Sequence, residues 1–207
     1  MQDDYGVDPS APTYFTGGEE EPGRSEKLKL NLPERFKVQP IGPDQTLSAM
    51  LAEGEIDALY TARAPSTFYS RPDDVRRLFP DAEAVERAYF KRTGIFPIMH
   101  VIALRRDVYD AHPWVAQALM KAFTQAKAIA YEELKVTASL TTMLPWQTAA
   151  VEAAIRDMGP DWWSYGLEPN RAVLDTFLRY HHEQGLSARR LQPEELFARE
   201  TLEAFKI

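Results

Sequence analysis

The sequence contains no cysteine, and this absence removes several kinds of chemistry at once. Without thiols the chain forms no disulfide, no thiolate metal site and no cysteine nucleophile, which fits a reducing compartment. No apolar run approaches the length of a membrane-spanning helix, and no secretory signal is present. We therefore expect a cytoplasmic protein without a membrane partner.

Positive charge is also scarce. The chain has 24 lysines and arginines against 31 aspartates and glutamates, a formal net charge of −7 at pH 7. Such a surface argues against a nucleic-acid partner, because phosphate binding favours a basic surface. An anionic ligand must then be held by a few local arginines. Neither a His-x-His pair nor a His-Glu-x-x-His motif occurs, so the sequence predicts no metal site, and we expect no cofactor.

The residues that are present indicate an α/β protein with a helical C-terminal half. Hydrophobic residues make up 44% of the 207 positions, which is enough for a core. Hydrophobic periodicity and breaker residues define the elements. Strands are predicted over Thr13–Thr16, Phe36–Ile41 and Ile56–Thr61, and helices after Asp44, over Val75–Phe79 and Ala82–Arg92, and from Pro113, Pro145, Pro169 and Pro193.

The second strand, the helix after Asp44 and the third strand together form the pattern of a βαβ unit with parallel strands. Open sheets of this kind bind ligands outside the carboxyl ends of their strands. Topology therefore places the loops at residues 42–44 and 62–67 beside a candidate cleft. The apolar segment Ile95–Leu104, which contains Pro97 and His100, is predicted to cross between two lobes.

Several stretches resemble the 4,5-dihydroxyphthalate decarboxylase family, and in this order they are more specific than each is alone. They are Thr16–Gly18 with Glu20–Arg24, Gly54–Leu59, Arg63–Ser66, Arg76–Pro80, Arg92–His100 and Phe177–Ser187. The resemblance implies the two-lobed fold of the type 2 periplasmic binding proteins. It also implies that residues 1–97 are the remainder of the second lobe, and that residues 98–207 are a crossing strand with C-terminal helices that return to the first lobe.

The beginning of the chain suggests that an N-terminal part is missing. Gly6 followed by Pro9 is typical of a helix end, yet the sequence predicts no helix before them; a frayed start is the alternative. The resemblance implies the loss of most of the first lobe and of the first strand and helix of the second lobe. We therefore expect this fragment to be inactive when it is alone.

The reaction that the resemblance implies is the non-oxidative decarboxylation of 4,5-dihydroxyphthalate to protocatechuate. This chemistry needs a clamp for the retained carboxylate and an acid or base near the ring, for which arginine and histidine are suited. Arg63 is the candidate clamp because it follows a predicted strand, and Ser66 can add a hydroxyl. A surface arginine paired with an acid is the alternative. Arg24 is a candidate second clamp, with solvent exposure as its alternative.

The remaining candidates lie in the loop after the first strand and in the segment that precedes the helical half. Gly17 and Gly18, next to Thr16, permit close backbone approach, although a plain turn explains them nearly as well. His100 is the candidate catalytic acid or base, and a buried histidine bonded to backbone is the alternative. Thr93 and Phe96 are candidate substrate contacts, and Phe96, Phe68 and Tyr69 could line an aromatic ligand or simply belong to the core.

A second reading of the same fold stays open. A solute-binding protein of a transporter would hold a small organic anion without chemistry, in the periplasm, and fold alone does not separate it from an enzyme. In either case the expected partner is a small carboxylate, aromatic for the enzyme. A homo-oligomer is compatible with both readings.

Overall fold

The computed structural model describes residues 1–25 and 32–202. Its strands are β1 (Thr13–Thr16) and β2 (Lys37–Pro40). Its helices are α1 (Gln2–Tyr5), α2 (Leu47–Ala52), α3 (Ser66–Ser70), α4 (Ala82–Thr93), α5 (Arg106–Ala111), α6 (Trp114–Lys135), α7 (Gln147–Met158) and α8 (Arg171–Glu183), with 3₁₀ turns at Glu168–Asn170, Pro193–Glu195 and Arg199–Thr201. Helices joined to a parallel strand pair confirm the α/β expectation in its coarse form.

The two strands pair in parallel, with Thr13 opposite Lys37 and Thr16 opposite Pro40. The first is rich in β-branched and aromatic residues, as strands usually are. Proline ends the second because it cannot donate a ladder hydrogen bond. The ladder nevertheless continues one residue further, since the amide of Ile41 donates to the carbonyl of Thr16 at 3.0 Å. Both strands therefore end at the same edge.

Helix α2 begins at that edge and is capped differently from the prediction. Thr46, not Asp44, is the N-cap, and its hydroxyl accepts a hydrogen bond from the amide of Ala49 at 3.3 Å. The amides of Leu47 and Ser48 donate to the carbonyls of Gly18 and Glu19, which satisfies two donors that a helix start leaves free.

Two predicted elements are wrong. No strand forms over Ile56–Thr61, and no helix forms over Val75–Phe79. The first segment alternates like a strand but has no neighbouring strand with which to pair among the described residues, and Tyr60 is 75% exposed. The second follows a turn in which the amides of Asp74 and Val75 both donate to the carbonyl of Arg71, and no helix continues from that turn.

The chain divides into two compact units. Unit 1 comprises Met1–Ala82 with Gln184–Leu186, and unit 2 comprises Glu83–Glu183 with Ser187–Ile207. In unit 1 the buried apolar side chains include Met50, Ala52 and Val75. In unit 2 they include Ala116, Leu167, Val173, Leu174 and Leu178.

Unit 2 is helical, as predicted, with shifts at the helix starts. Pro113 is the N-cap of α6, and a positive φ at Trp146 precedes α7. The apolar face of α8 packs through Val173, Leu174 and Leu178, whereas Phe177 is 54% exposed. Among the described helices of the chain, none has the length and apolarity that crossing a bilayer requires.

The last predicted helix, from Pro193, forms only a single 3₁₀ turn. Gln192 and Glu195 close a capping box around it, and Arg189 pairs with Glu195 at 2.6 Å. These side-chain bonds satisfy the backbone groups of the turn locally, so the turn does not need to extend into a longer helix.

Candidate functional site

The candidate site in unit 1 is built from the loops that leave the common carboxyl edge of β1 and β2. Thr16 is the last residue of β1, and Gly17 and Gly18 follow it directly. A Cβ atom on Gly17 would overlap the side chain of Ile41, and one on Gly18 would overlap the backbone carbonyl oxygen of Glu21. The close backbone approach that was predicted at these glycines is therefore to other residues of this chain, Ile41 and Glu21.

Acidic side chains tie this loop to the loop that precedes α3. The carboxylate of Glu20 accepts the amide of Ser66 at 2.6 Å and its hydroxyl at 2.8 Å. The carboxylate of Glu19 accepts the hydroxyl of Thr61. We call these four side chains, Glu19, Glu20, Thr61 and Ser66, the loop clasp. Its three hydrogen bonds close a loop of residues 61–66 from both ends.

The charge of Glu20 is stabilised within the clasp. The hydrogen bonds from the amide and hydroxyl of Ser66 favour its ionised form, so they hold the pKa of Glu20 below its ordinary value. Behind the clasp, the hydroxyl groups of the buried Ser48 and of Thr67 lie 3.0 Å apart. This contact joins the start of α2 to α3, so the clasp rests on two short helices.

Arg63 lies in the loop that the clasp closes. Its amide donates to the hydroxyl of Thr61 at 3.3 Å, which fixes the backbone beside it. Its side chain is exposed, and within the part of the chain that the structure describes, its guanidinium has no ion pair or hydrogen bond. The backbone of Arg63 is thus anchored while its charge stays available, which is what a carboxylate clamp requires.

The other arginine of the candidate set is occupied. Arg24 pairs with Glu21 at 2.7 Å, and both side chains are 70% exposed. A surface ion pair of this kind contributes little energy and is easily exchanged with solvent. The geometry therefore distinguishes Arg63 from Arg24 as an anion ligand.

The three other candidates, Thr93, Phe96 and His100, lie in unit 2. The hydroxyl of Thr93 donates to the carbonyl of Tyr89 at 2.8 Å and accepts the amide of Ile95 at 3.1 Å, which closes the end of α4. Phe96 contacts Trp163 edge-on, with ring centroids 5.9 Å apart. The structure therefore uses Thr93 for the helix end and Phe96 for aromatic packing.

His100 is exposed, and the apolar surroundings expected for it are not found in the described part of the chain. No strand forms over Ile95–Leu104, and Val101 and Ile102 are 70% and 65% exposed. Within the same residues His100 has no hydrogen bond or ion pair, so the alternative of a buried, backbone-bonded histidine is not what the structure shows.

Glu19, Glu20 and Thr61 are parts of the site that the sequence did not reveal. The run Glu19–Glu21 looks like a solvated polar loop, because no local pattern shows that two of its carboxylates accept bonds from residues more than 40 positions away. Only the tertiary contact assigns them a role.

Comparisons with known proteins give two relatives. The chain is 41% identical over all 207 residues to the 4,5-dihydroxyphthalate decarboxylase of Comamonas testosteroni, of whose length it spans 63%. It is 37% identical over 91 residues to a protein of the same name from Pseudomonas putida, a match that covers 44% of this chain and 35% of the relative. No family model matches the chain.

These matches place the chain among the homologues of proteins named 4,5-dihydroxyphthalate decarboxylase. The resemblance to the 4,5-dihydroxyphthalate decarboxylase family is confirmed, and it extends over the full chain. Neither relative is named as a solute-binding protein, so the comparisons do not favour the transport reading.

Proposed function

We propose that this chain forms part of an enzyme that decarboxylates 4,5-dihydroxyphthalate, or a related hydroxylated aromatic acid, to protocatechuate or its counterpart. The observation that carries the proposal is the 41% identity, over the whole chain, to a protein with that name. The two-lobed type 2 periplasmic-binding-protein-like fold, divided at residues 97 and 98, belongs to the same proposal, as does a cytoplasmic location.

The substrate itself makes the reaction feasible without oxidation or reduction. Each carboxylate lies para to a hydroxyl group. When that hydroxyl loses its proton to a base, electron density moves to the ring carbon that bears the carboxylate. An acid adds a proton to this carbon, the bond to the carboxylate breaks, and its electron pair restores the aromatic ring. Carbon dioxide leaves, and the phenolate is reprotonated, so that one proton in total replaces the lost carboxylate.

Arg63 is proposed as the clamp for the carboxylate that is retained. Its unpaired guanidinium offers the planar pair of donors that carboxylates bind best. The loop clasp limits the motion of its backbone, which lowers the conformational entropy lost on binding. Ser66 then supports this loop through Glu20, and a direct contact with substrate would require that its bonds to Glu20 be exchanged.

His100 is proposed as the acid or base, because its imidazole is exposed and has no hydrogen bond or ion pair within the described residues. Its removal is expected to lower kcat by about 10²–10⁴-fold, the usual contribution of a positioned proton donor. If turnover of a His100→Ala variant is unchanged, the proton comes from another residue.

A chimera tests the proposal most simply. The chain would replace the aligned segment of the Comamonas protein, and the purified chimera would be incubated with 4,5-dihydroxyphthalate. We expect protocatechuate and carbon dioxide in equal amounts, with the unmodified Comamonas protein as positive control. A folded chimera that binds the substrate but releases no carbon dioxide would contradict the proposal.

A further inference from the structure

Unit 1 contains a groove to which the proposed reaction assigns no role. Its lining residues are Phe68, Pro72, Val75, Arg76, Arg77 and Pro80, and its volume is about 460 Å³. Binding sites for small molecules usually have volumes of roughly 300–1,000 Å³. The stretch Arg76–Pro80 is also one of those that carry the family resemblance, and neither Arg76 nor Arg77 belongs to the candidate clamps. We call this feature the arginine groove.

The groove brings two arginines together in an acidic protein. The guanidinium of Arg77 lies 5.4 Å from the centre of the Phe68 ring, a cation–π contact. Arg76 is exposed and has no ion pair or hydrogen bond within the described residues. The nearest acid along the chain on that side, Asp74, is already bound to Arg71 at 2.8 Å. Two arginines therefore line the groove, and neither forms an ion pair among the residues that the structure describes.

The rest of the groove is apolar and held in place. Val75 is only 5% exposed and anchors the segment that carries both arginines. Phe68 lies on α3, which is tied to α2 through the hydroxyl contact of Thr67 with Ser48. Pro72 and Pro80 restrict the backbone at the two ends of the segment. The groove thus combines an aromatic wall with paired cations, and little of it needs to be ordered by a ligand.

We propose that the arginine groove binds a small aromatic carboxylate. The ring of the ligand would lie against Phe68, Pro72 and Pro80, where burial of apolar area favours it, and the carboxylate would accept hydrogen bonds from Arg76 and Arg77. An inorganic anion would use the charges but not the apolar wall. The ligand is therefore an aromatic acid of about one ring, and its binding does not require turnover.

Binding to the purified chain tests this proposal independently of the decarboxylation. Benzoate and protocatechuate would be titrated by calorimetry and by ¹⁵N NMR of the arginine side chains, beside cyclohexanecarboxylate and sulfate. We expect both aromatic acids to bind and to shift the signals of Arg76 and Arg77. Sulfate and cyclohexanecarboxylate should bind at least about fivefold more weakly, a difference of roughly 1 kcal/mol.

Matched variants locate the site. The double variant Arg76→Gln/Arg77→Gln should bind benzoate and protocatechuate at least about tenfold more weakly than the original chain does. This is the loss expected when charge-assisted hydrogen bonds are removed. Arg190→Gln, the matched control, removes one charge from an exposed arginine of unit 2 and should bind both acids within about twofold of the original chain. Arg77→Lys, which keeps the charge but not the planar pair of donors, should fall between the two variants.

Three results would overturn the proposal. They are no binding at millimolar ligand, unchanged binding by the double variant with an unchanged melting temperature, and a loss of binding in Arg190→Gln as large as that in the double variant. If sulfate binds with the same affinity as the aromatic acids, the groove binds anions in general. This result would contradict the role of Phe68. A failure of the decarboxylation assay would affect none of these measurements.

Discussion

Two regions that carry candidate residues are organised in opposite ways. The loops at the carboxyl edge of β1 and β2 are held by glycines that lack room for a side chain and by the four side chains of the loop clasp. The segment Ile95–Leu104 is more apolar, yet it forms no strand and exposes Val101 and Ile102. Polar side-chain bonds hold the first region locally, whereas the second leaves two large apolar side chains exposed.

This contrast bears on the two proposed roles. Arg63 lies in the region that its own unit has already organised, so its function as a clamp requires little further ordering. His100 lies in the exposed segment, where nothing within its described unit fixes the ring. We therefore expect substitutions in the first region to change stability and binding, and substitutions in the second to leave the stability of this chain unchanged.

The largest expected effect sets the scale for the comparison, and it lies in the core of unit 2. Leu178 is 2% exposed, so Leu178→Ala should lower the free energy of unfolding by about 3 kcal/mol, through lost burial and the cavity that remains. Urea denaturation would measure it, with Phe177→Ala on the exposed side of the same helix as control. Equal costs for the two variants would mean that the assigned faces of α8 are wrong.

Gly18→Ala tests the ordered edge of unit 1. The new methyl group would overlap the carbonyl oxygen of Glu21, so we expect a cost of about 2–3 kcal/mol in the free energy of unfolding. Gly23→Ala is the matched control, because Gly23 has a φ of 75° but open space around it; its cost should be about 1 kcal/mol. A Gly18 variant as stable as the Gly23 variant would show that the loop is not tightly closed.

Glu20→Ala tests the clasp at a single amide. We expect the hydrogen exchange of the Ser66 amide to accelerate roughly fivefold, the factor for one modest hydrogen bond. Glu21→Ala, which affects only the ion pair with Arg24, should leave it unchanged. If Glu20→Ala leaves the exchange of the Ser66 amide unaltered, the clasp does not persist in solution.

The pH dependence of the clasp follows from the lowered pKa of Glu20. The bonds from Ser66 favour the ionised carboxylate, so their stabilisation is complete above the ordinary pKa of a glutamate and is lost as the pH falls through the lowered value. Protection of the Ser66 amide, relative to the Glu20→Ala variant, should therefore disappear only in acid. Loss of this protection near neutral pH would contradict the assignment.

The smallest expected effect is in the exposed segment. Ile102→Thr should change the free energy of unfolding by no more than about 0.5 kcal/mol, since the side chain is 65% exposed. The same substitution in the chimera with the Comamonas protein is the informative partner experiment. A large cost in the isolated chain would show that Ile102 is buried in solution and would remove the contrast between the two regions.

Local patterns predicted the elements whose stability is local. The helix over residues 82–93 and the stop at Gly94 follow from residue type and backbone freedom alone. The strand expected at Ile56–Thr61 failed because a strand exists only where a neighbour supplies its hydrogen bonds, and alternation does not reveal the neighbour.

The candidate site likewise contains residues that the sequence predicted and contacts that it did not. Topology placed Arg63 and Ser66 at a strand edge, although the strand expected before them is absent. The pairing of Arg24 with Glu21 and the bonds of Glu19 and Glu20 across the chain could not be predicted, because a carboxylate's partner is chosen by three-dimensional proximity. The sequence therefore indicated which residue types could bind an anion. The contacts show which of the two candidate arginines is already paired.

The KM of the chimera for 4,5-dihydroxyphthalate tests the role of Arg63 most directly. Arg63→Ala should raise KM about tenfold or more while kcat changes little, because a clamp binds the retained carboxylate equally in the ground state and the transition state. Arg24→Ala, the matched control, should leave KM within about twofold. A KM of the Arg63→Ala chimera equal to that of the unmodified chimera would contradict the account.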